Sequence, residues 1–118
     1  MPPDERDAGY IWDILLAARS AVRFVTGTTL EGFARDPLLR SAVERQLTIV
    51  GEAARRVSEA FKGTHPELPW REMIAQRNVL VYDYGEIVPD FVWLVVTDDL
   101  PALILLLEPL ARPPDQKL

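Results

Sequence analysis

Few side chains in this sequence can do polar chemistry, and the ones that are missing narrow the choices first. There is no cysteine and a single histidine, His65. That excludes a thiolate zinc site, an iron–sulfur cluster, a cysteine nucleophile and a multi-histidine metal centre within one chain. No cofactor or metal is expected. The densest constellation is Arg77-Asn78-Val79-Leu80-Val81-Tyr82-Asp83-Tyr84. Arg77 is a permanent cation whose planar fork of donors suits a phosphate or a developing negative charge. Tyr82 is a phenol, protonated at neutrality because its ordinary pKa is about 10. It donates a hydrogen bond well and accepts a proton poorly. At about 100° per residue, Arg77 and Tyr82 diverge by roughly 140° on a straight helix. They converge only if the helix ends or distorts between them, or if the site is assembled across two copies. Glu52, in the run Gly51-Glu52-Ala53, is placed to pair with Arg77 as a salt bridge or as a supporting site residue. His65 lies in the loop Gly63-Thr64-His65-Pro66, where an exposed or capping role is expected.

The elements that must position these groups read as helices throughout. Ile11, Leu15, Ala18, Val22 and Val25 step by four and three, the spacing of one helix face. They predict a helix from Asp4 to Val25, with Trp12 and Leu16 widening its stripe. Gly27 follows where a C-terminal cap needs positive φ, and a short helix is expected over Leu30–Arg35. Asp36 and Pro37 are an N-cap and a first helical residue. They open a helix marked by Val43, Leu47, Val50, Ala54, Val57 and Phe61 and closed by Gly63. A further helix is predicted from Pro69 to Tyr84, and a last one from Pro89 or Asp90 to about Leu110. Pro101 should bend or restart the last one, since its ring removes one backbone bond and crowds the preceding turn. Leu100 to Leu107 is apolar on nearly every side. A small bundle covers one side of such a helix, so the other side is expected to pack on a second copy of the chain.

The 118 residues make one domain, of which 109–118 are expected to form a loose tail. Eighteen acidic residues against thirteen basic ones give a net charge of −5. A global basic surface for nucleic acid is absent, so any RNA contact must use a local patch or a cleft shared between subunits. The N-terminus carries no basic-then-apolar signal, and Asp98, Asp99 and Pro101 interrupt the greasiest stretch. A cytoplasmic protein without a membrane span is expected.

Five ordered blocks carry a family resemblance. They are Ala42-Val43-Glu44-Arg45-Gln46-Leu47, Ile49-Val50-Gly51-Glu52-Ala53-Ala54, Leu68-Pro69-Trp70-Arg71-Glu72-Met73-Ile74, Arg77-Asn78 and Asp99-Leu100-Pro101-Ala102-Leu103. The chain resembles the HepT-like branch of the HEPN superfamily, the toxin partners of minimal nucleotidyltransferases. The resemblance implies an all-α, up-and-down bundle of four to five helices that dimerises and cuts RNA without metal. The family signature R-N-x-x-x-H-x-Y falls on Arg77, Asn78 and Tyr84, with Tyr82 where the histidine should stand. Metal-free RNA cleavage needs a base for the 2′-OH proton and an acid for the leaving oxygen. Histidine, with a pKa near about 6.5, serves either role at neutral pH. The resemblance therefore implies a catalytic trio of Arg77, Asn78 and Tyr82 with its proton-transfer half weakened. It also implies Tyr84 as the tyrosine to which a cognate nucleotidyltransferase antitoxin transfers AMP. Val88 is a second departure, standing where relatives often place an N-capping Asp. The alternative reading is a catalytically inactive, dimeric helical partner of a nucleotidyltransferase.

Overall fold

A computed structural model of the chain describes residues 5–75 and 89–113. The protein is all-α, as the helical periodicities require, and the described residues include no strand. The helices are α1 (Glu5–Val25), α2 (Leu30–Arg35), α3 (Pro37–Arg56), α4 (Glu59–Thr64), α5 (residues 70–75), α6 (Pro89–Leu94) and α7 (Leu100–Leu107). A π-helical turn, Val95–Asp99, joins α6 to α7. Among the described residues no helix is long and apolar enough to cross a membrane.

The pair α1 and α3 forms the centre of the bundle. Ile11, Ile14, Leu15, Ala18 and Ala21 of α1 are buried with Val43, Leu47, Val50, Ala53 and Ala54 of α3. The predicted stripes therefore face each other. Leu16, expected to widen the α1 stripe, is instead 43% exposed. Gly27 adopts φ 81°, a left-handed conformation that costs glycine little because it lacks Cβ. The turn it permits lets Thr28 N–H reach the Val25 carbonyl at 2.9 Å. Asp36 caps α3 through its side chain, which accepts from Leu39 N–H at 3.0 Å, and Pro37 fills the first helical position. The short α2 is pinned by Phe33, fully buried, whose ring meets Trp93 of α6 at 5.7 Å between centroids.

The helix expected to run on to Gly63 stops earlier. It ends at Arg56, Val57 turns to an extended conformation, and α4 restarts with Ser58 as its N-cap. The cause lies in α1, far away in sequence. Asp7, only 5% exposed, accepts from Ser58 N–H at 2.8 Å and from the Ser58 hydroxyl at 2.6 Å. The same hydroxyl oxygen accepts from Phe61 N–H at 3.1 Å. Breaking the helix frees the Ser58 N–H, and the buried carboxylate takes it together with the Ser58 hydroxyl. Val57 and Phe61 still pack inward, so the apolar pattern survives the break.

Pro101 restarts the last helix by way of the π turn. Leu100 N–H bonds to the Val95 carbonyl, five residues back, which widens the helix just where the proline ring would crowd it. Thr97 adds a hydroxyl bond to the Trp93 carbonyl at 2.8 Å. In α7, Leu100, Leu103 and Leu107 are buried, whereas Leu105 is 71% exposed and Leu106 lies at the surface with it. Arg19 meets Glu108 at 2.9 Å and ties α1 to the end of α7. Of the expected tail, Leu110 and Ala111 pack against the core, and residues 114–118 lie outside the described part.

Asp7→Ala should destabilise the fold by about 1.5–3 kcal/mol, the range for hydrogen bonds to a charged group whose donors are then left unmatched. Urea denaturation at neutral pH checks this, and Asp7→Asn should recover only part of the loss because its amide keeps a single acceptor.

Candidate functional site

The residues singled out from the sequence divide into two sets. Arg77, Asn78, Tyr82 and Tyr84 lie outside the described residues, as does Val88. Glu52 is described. It sits half-buried on α3, one residue after the buried Gly51, and opens onto a cleft between α1 and α3.

That cleft holds about 100 Å³ and is lined by Tyr10 and Asp13 from α1 and by Ile49, Glu52, Ala53 and Arg56 from α3. The lining follows from helix geometry. Tyr10 and Asp13 are three apart on α1. Ile49, Glu52, Ala53 and Arg56 occupy the i, i+3, i+4, i+7 positions of a single α3 face. Their neighbours Ile11, Ile14, Val50 and Ala54 are buried in the seam between the two helices. The cleft is therefore the polar margin of the α1–α3 interface, and it gathers a phenol, two carboxylates and a guanidinium.

Asp13 has the most distinctive surroundings of the four. It stays exposed to solvent on α1, and partial desolvation beside α3 raises its carboxyl from the ordinary aspartate value. Sequence reasoning passed over Asp13, although one signal was there. It is the only charged residue in the otherwise apolar run Ile11-Trp12-Asp13-Ile14-Leu15-Leu16. Glu44, also on α3, is raised by burial as well, with Arg40 one turn earlier opposing the shift. Among the described residues no group of three or more side chains is arranged to hold a metal ion.

His65 takes the capping place expected of it. Its N–H closes α4 on the Phe61 and Lys62 carbonyls. Its ring packs on Phe61 at 4.5 Å, and its Nδ1 lies 3.2 Å from Glu67. Glu67 is held below the usual glutamate range, first by a backbone hydrogen bond and then by His65. The Trp70 indole N–H donates to the His65 carbonyl at 2.9 Å, which fixes the loop against the start of α5.

A second, larger depression of about 280 Å³ lies between α5 and α7, on the other side of the bundle's last helix. Pro69, Met73, Leu100, Leu103 and Leu106 form its apolar floor, and Glu72, Asp98 and Asp99 stand among them. Leu105, Leu94 and Phe91 are exposed on the same helical segment. The belt expected to meet a second copy is thus partly exposed among the described residues, at Leu105 and Leu106.

The raised Asp13 carboxyl has a consequence for stability. A carboxyl raised on folding favours the folded state below its unfolded pKa, and this contribution is lost as pH rises through the folded pKa. Asp13→Asn should therefore stabilise the protein slightly at pH 7, by at most about 0.5 kcal/mol. The advantage should vanish below the carboxylate range. Urea denaturation of both proteins at pH 7 and pH 3 checks the sign.

Comparison with known proteins places the chain. The Ribonuclease HepT-like family profile matches residues 14–110. The chain is 36% identical over 94 residues to a protein of Thermococcus cleftensis named a probable ribonuclease HepT, covering 80% of this chain and 86% of that one. It is 33% identical over 94 residues to a candidate RNase of Methanocaldococcus jannaschii, again covering 80% and 86%. A candidate RNase of Caldanaerobacter subterraneus subsp. tengcongensis is 30% identical over 94 residues, covering 80% of this chain and 84% of its own. No solved structure matches significantly. The profile spans α3, the Arg77-Asn78 segment and α7 in one ordered match, and the chain belongs to the HepT-like ribonuclease family.

Proposed function

We propose that this protein is the toxin of a HEPN/nucleotidyltransferase toxin–antitoxin pair, a metal-independent endoribonuclease whose cleavage is weakened by Tyr82. The observation that carries the reading is the family match over residues 14–110, with Arg77, Asn78 and Tyr84 in their motif positions inside it. Arg77 holds the scissile phosphate and stabilises the charge that develops on it. Asn78 supplies a neutral hydrogen bond beside it, and Glu52 supports Arg77 from α3. Tyr82 stands in the acid–base position and, with an ordinary pKa near about 10, donates a proton or hydrogen bond far better than it accepts one. The same substitution favours a second reading, a non-cleaving helical partner of the nucleotidyltransferase.

The working form is a homodimer joined through the apolar belt of α7. Leu105, Leu106 and the groove floored by Met73, Leu100 and Leu103 support this, since contiguous apolar surface of that kind on a small protein marks an interface. A cleft shared between subunits, as the family resemblance implies, would draw on two copies of Arg77 and give an acidic protein a local basic groove for RNA. Tyr84 is the acceptor of AMP from the nucleotidyltransferase antitoxin. A bulky anion there blocks the approach of the RNA phosphate.

Light scattering at micromolar concentration should give the dimer mass, and Leu105→Glu should shift it to the monomer by placing a charge in the belt. A nucleotidyltransferase encoded next to this chain should co-purify with it and add AMP at Tyr84, read by intact-protein mass spectrometry. Failure of both contradicts the partnership.

Tyr82→His should raise RNA cleavage by about 10²–10⁴-fold, the usual contribution of a positioned acid–base. Arg77→Ala should abolish cleavage in either background. The assay is run at neutral pH with chelator present, and equal rates for wild type and Tyr82→His would refute the assigned role of position 82.

A further inference from the structure

We propose that the groove between α5 and α7 docks an amphipathic, basic segment of a partner protein. The segment lays apolar side chains on the groove floor and sets lysines or arginines against the rim. This inference stands apart from the ribonuclease reading, because no RNA takes part in it.

The floor is built from the core. Met73 of α5 and Leu100 and Leu103 of α7 line the groove and are themselves buried, and Leu106 forms its exposed lip. Asp99, Leu103 and Leu106 follow one another at steps of four and three, so helix geometry keeps them on one face. A floor fixed in this way is in place before anything binds, which spares a partner the cost of ordering it. The volume of about 280 Å³ falls just short of the roughly 300–1,000 Å³ of pockets that enclose a whole small molecule. It suits a few side chains of a peptide lying across it, as a helix presents i, i+3 or i+4 and i+7 anchors to a groove.

The rim selects the charge of that peptide. Glu72 of α5 and Asp98 and Asp99 of the π turn line the groove and are all exposed. Among the described residues none of the three makes a hydrogen bond or an ion pair. Like charges around one apolar floor repel each other and draw in a cation. Arg71, next to Glu72, is not part of the lining. From residue 89 to residue 108 every charged residue is an acid, namely Asp90, Asp98, Asp99 and Glu108. A second copy that presents its own α6–α7 belt therefore adds carboxylates to the rim and neutralises none, a juxtaposition that disfavours it as the occupant. Self-association is left to the outward side of α7, where Leu105 is 71% exposed and does not line the groove. The groove beside it takes a different polypeptide.

Three fluorescein-labelled helical peptides of about four turns each test this on the full chain. The first carries leucines at i, i+3 and i+7 and lysines on its other faces. The second has glutamates in place of the lysines, and the third keeps the lysines but has serines in place of the leucines. Fluorescence anisotropy should show the first binding with one peptide per chain, and the other two at least about tenfold more weakly. The triple variant Glu72→Gln/Asp98→Asn/Asp99→Asn should weaken the first peptide by about tenfold and flatten its salt dependence. Leu106→Ser should weaken it by a similar factor. Glu59→Gln, at an exposed acid of α4 outside the groove, should change nothing, and thermal melts check that each variant is folded. No binding of the first peptide, equal binding of all three, or binding that the rim and Leu106 variants leave intact overturns the proposal. So does light scattering in which the triple variant dimerises more tightly and the first peptide competes with the dimer, since the occupant is then a second copy.

Discussion

Everything in this protein hangs on the close approach of α1 to α3. The facing positions include Ala17, Ala18 and Ala21 on one helix and Ala53 and Ala54 on the other, all buried. Small side chains let two long helices lie near each other, while Ile11, Ile14, Leu15, Val43, Leu47 and Val50 fill the space above and below them. At about 25 cal/mol per Å² of apolar surface removed from water, this seam is the main store of stability for a chain of this size. The remaining helices attach to it. α7 lays Leu100, Leu103 and Leu107 inward, and α2 and α6 are joined by Phe33 and Trp93.

The same seam explains why polar groups collect where they do. A helix pair buries one face of each partner and leaves a margin on either side. On one margin that strip carries Tyr10, Asp13, Glu52 and Arg56. Residues on the strip are rigid because their neighbours one position away are core residues, yet they still reach solvent. The belt of α7 is the counterpart on the far side of the bundle. There, among the described residues, Leu105 and Leu106 lie on the surface and Leu106 lines a groove.

Two features show local chemistry yielding to tertiary demand. The π turn at Val95–Asp99 exists because Pro101 sits in a helix that has to continue, since Val95, Val96 and Leu100 before the proline and Leu103 after it are all core residues. Widening the helix by one residue keeps both sets pointing inward. The break at Val57 is the opposite case. No proline or glycine stands there, and the periodicity runs straight through to Phe61, yet the helix stops because Asp7 comes in from α1 and takes the Ser58 donors.

The sequence alone determined the all-α class, the family, and the ends of α1, α2 and the start of α3, because each of these is written in neighbouring residues. Gly27 carries its own freedom of φ, Asp36 and Pro37 carry a cap and a first turn, and apolar residues at steps of three and four carry a helix face. It also exposed the exchange of histidine for Tyr82, which needs only the motif to be seen. Tertiary structure decided the rest, for reasons of distance along the chain. Asp7 and Ser58 are 51 residues apart, so nothing local foretold their bond, although Ser58 is itself a residue type that opens helices. Leu16 and Leu105 look like core residues by type, and only the positions of the other helices leave them in water. Asp13 remains a surface acid, and it shares a cleft with Glu52 and Arg56 only because α3 packs beside its helix. A carboxylate's surroundings are a property of what folds against it, and no pattern in its own helix records them.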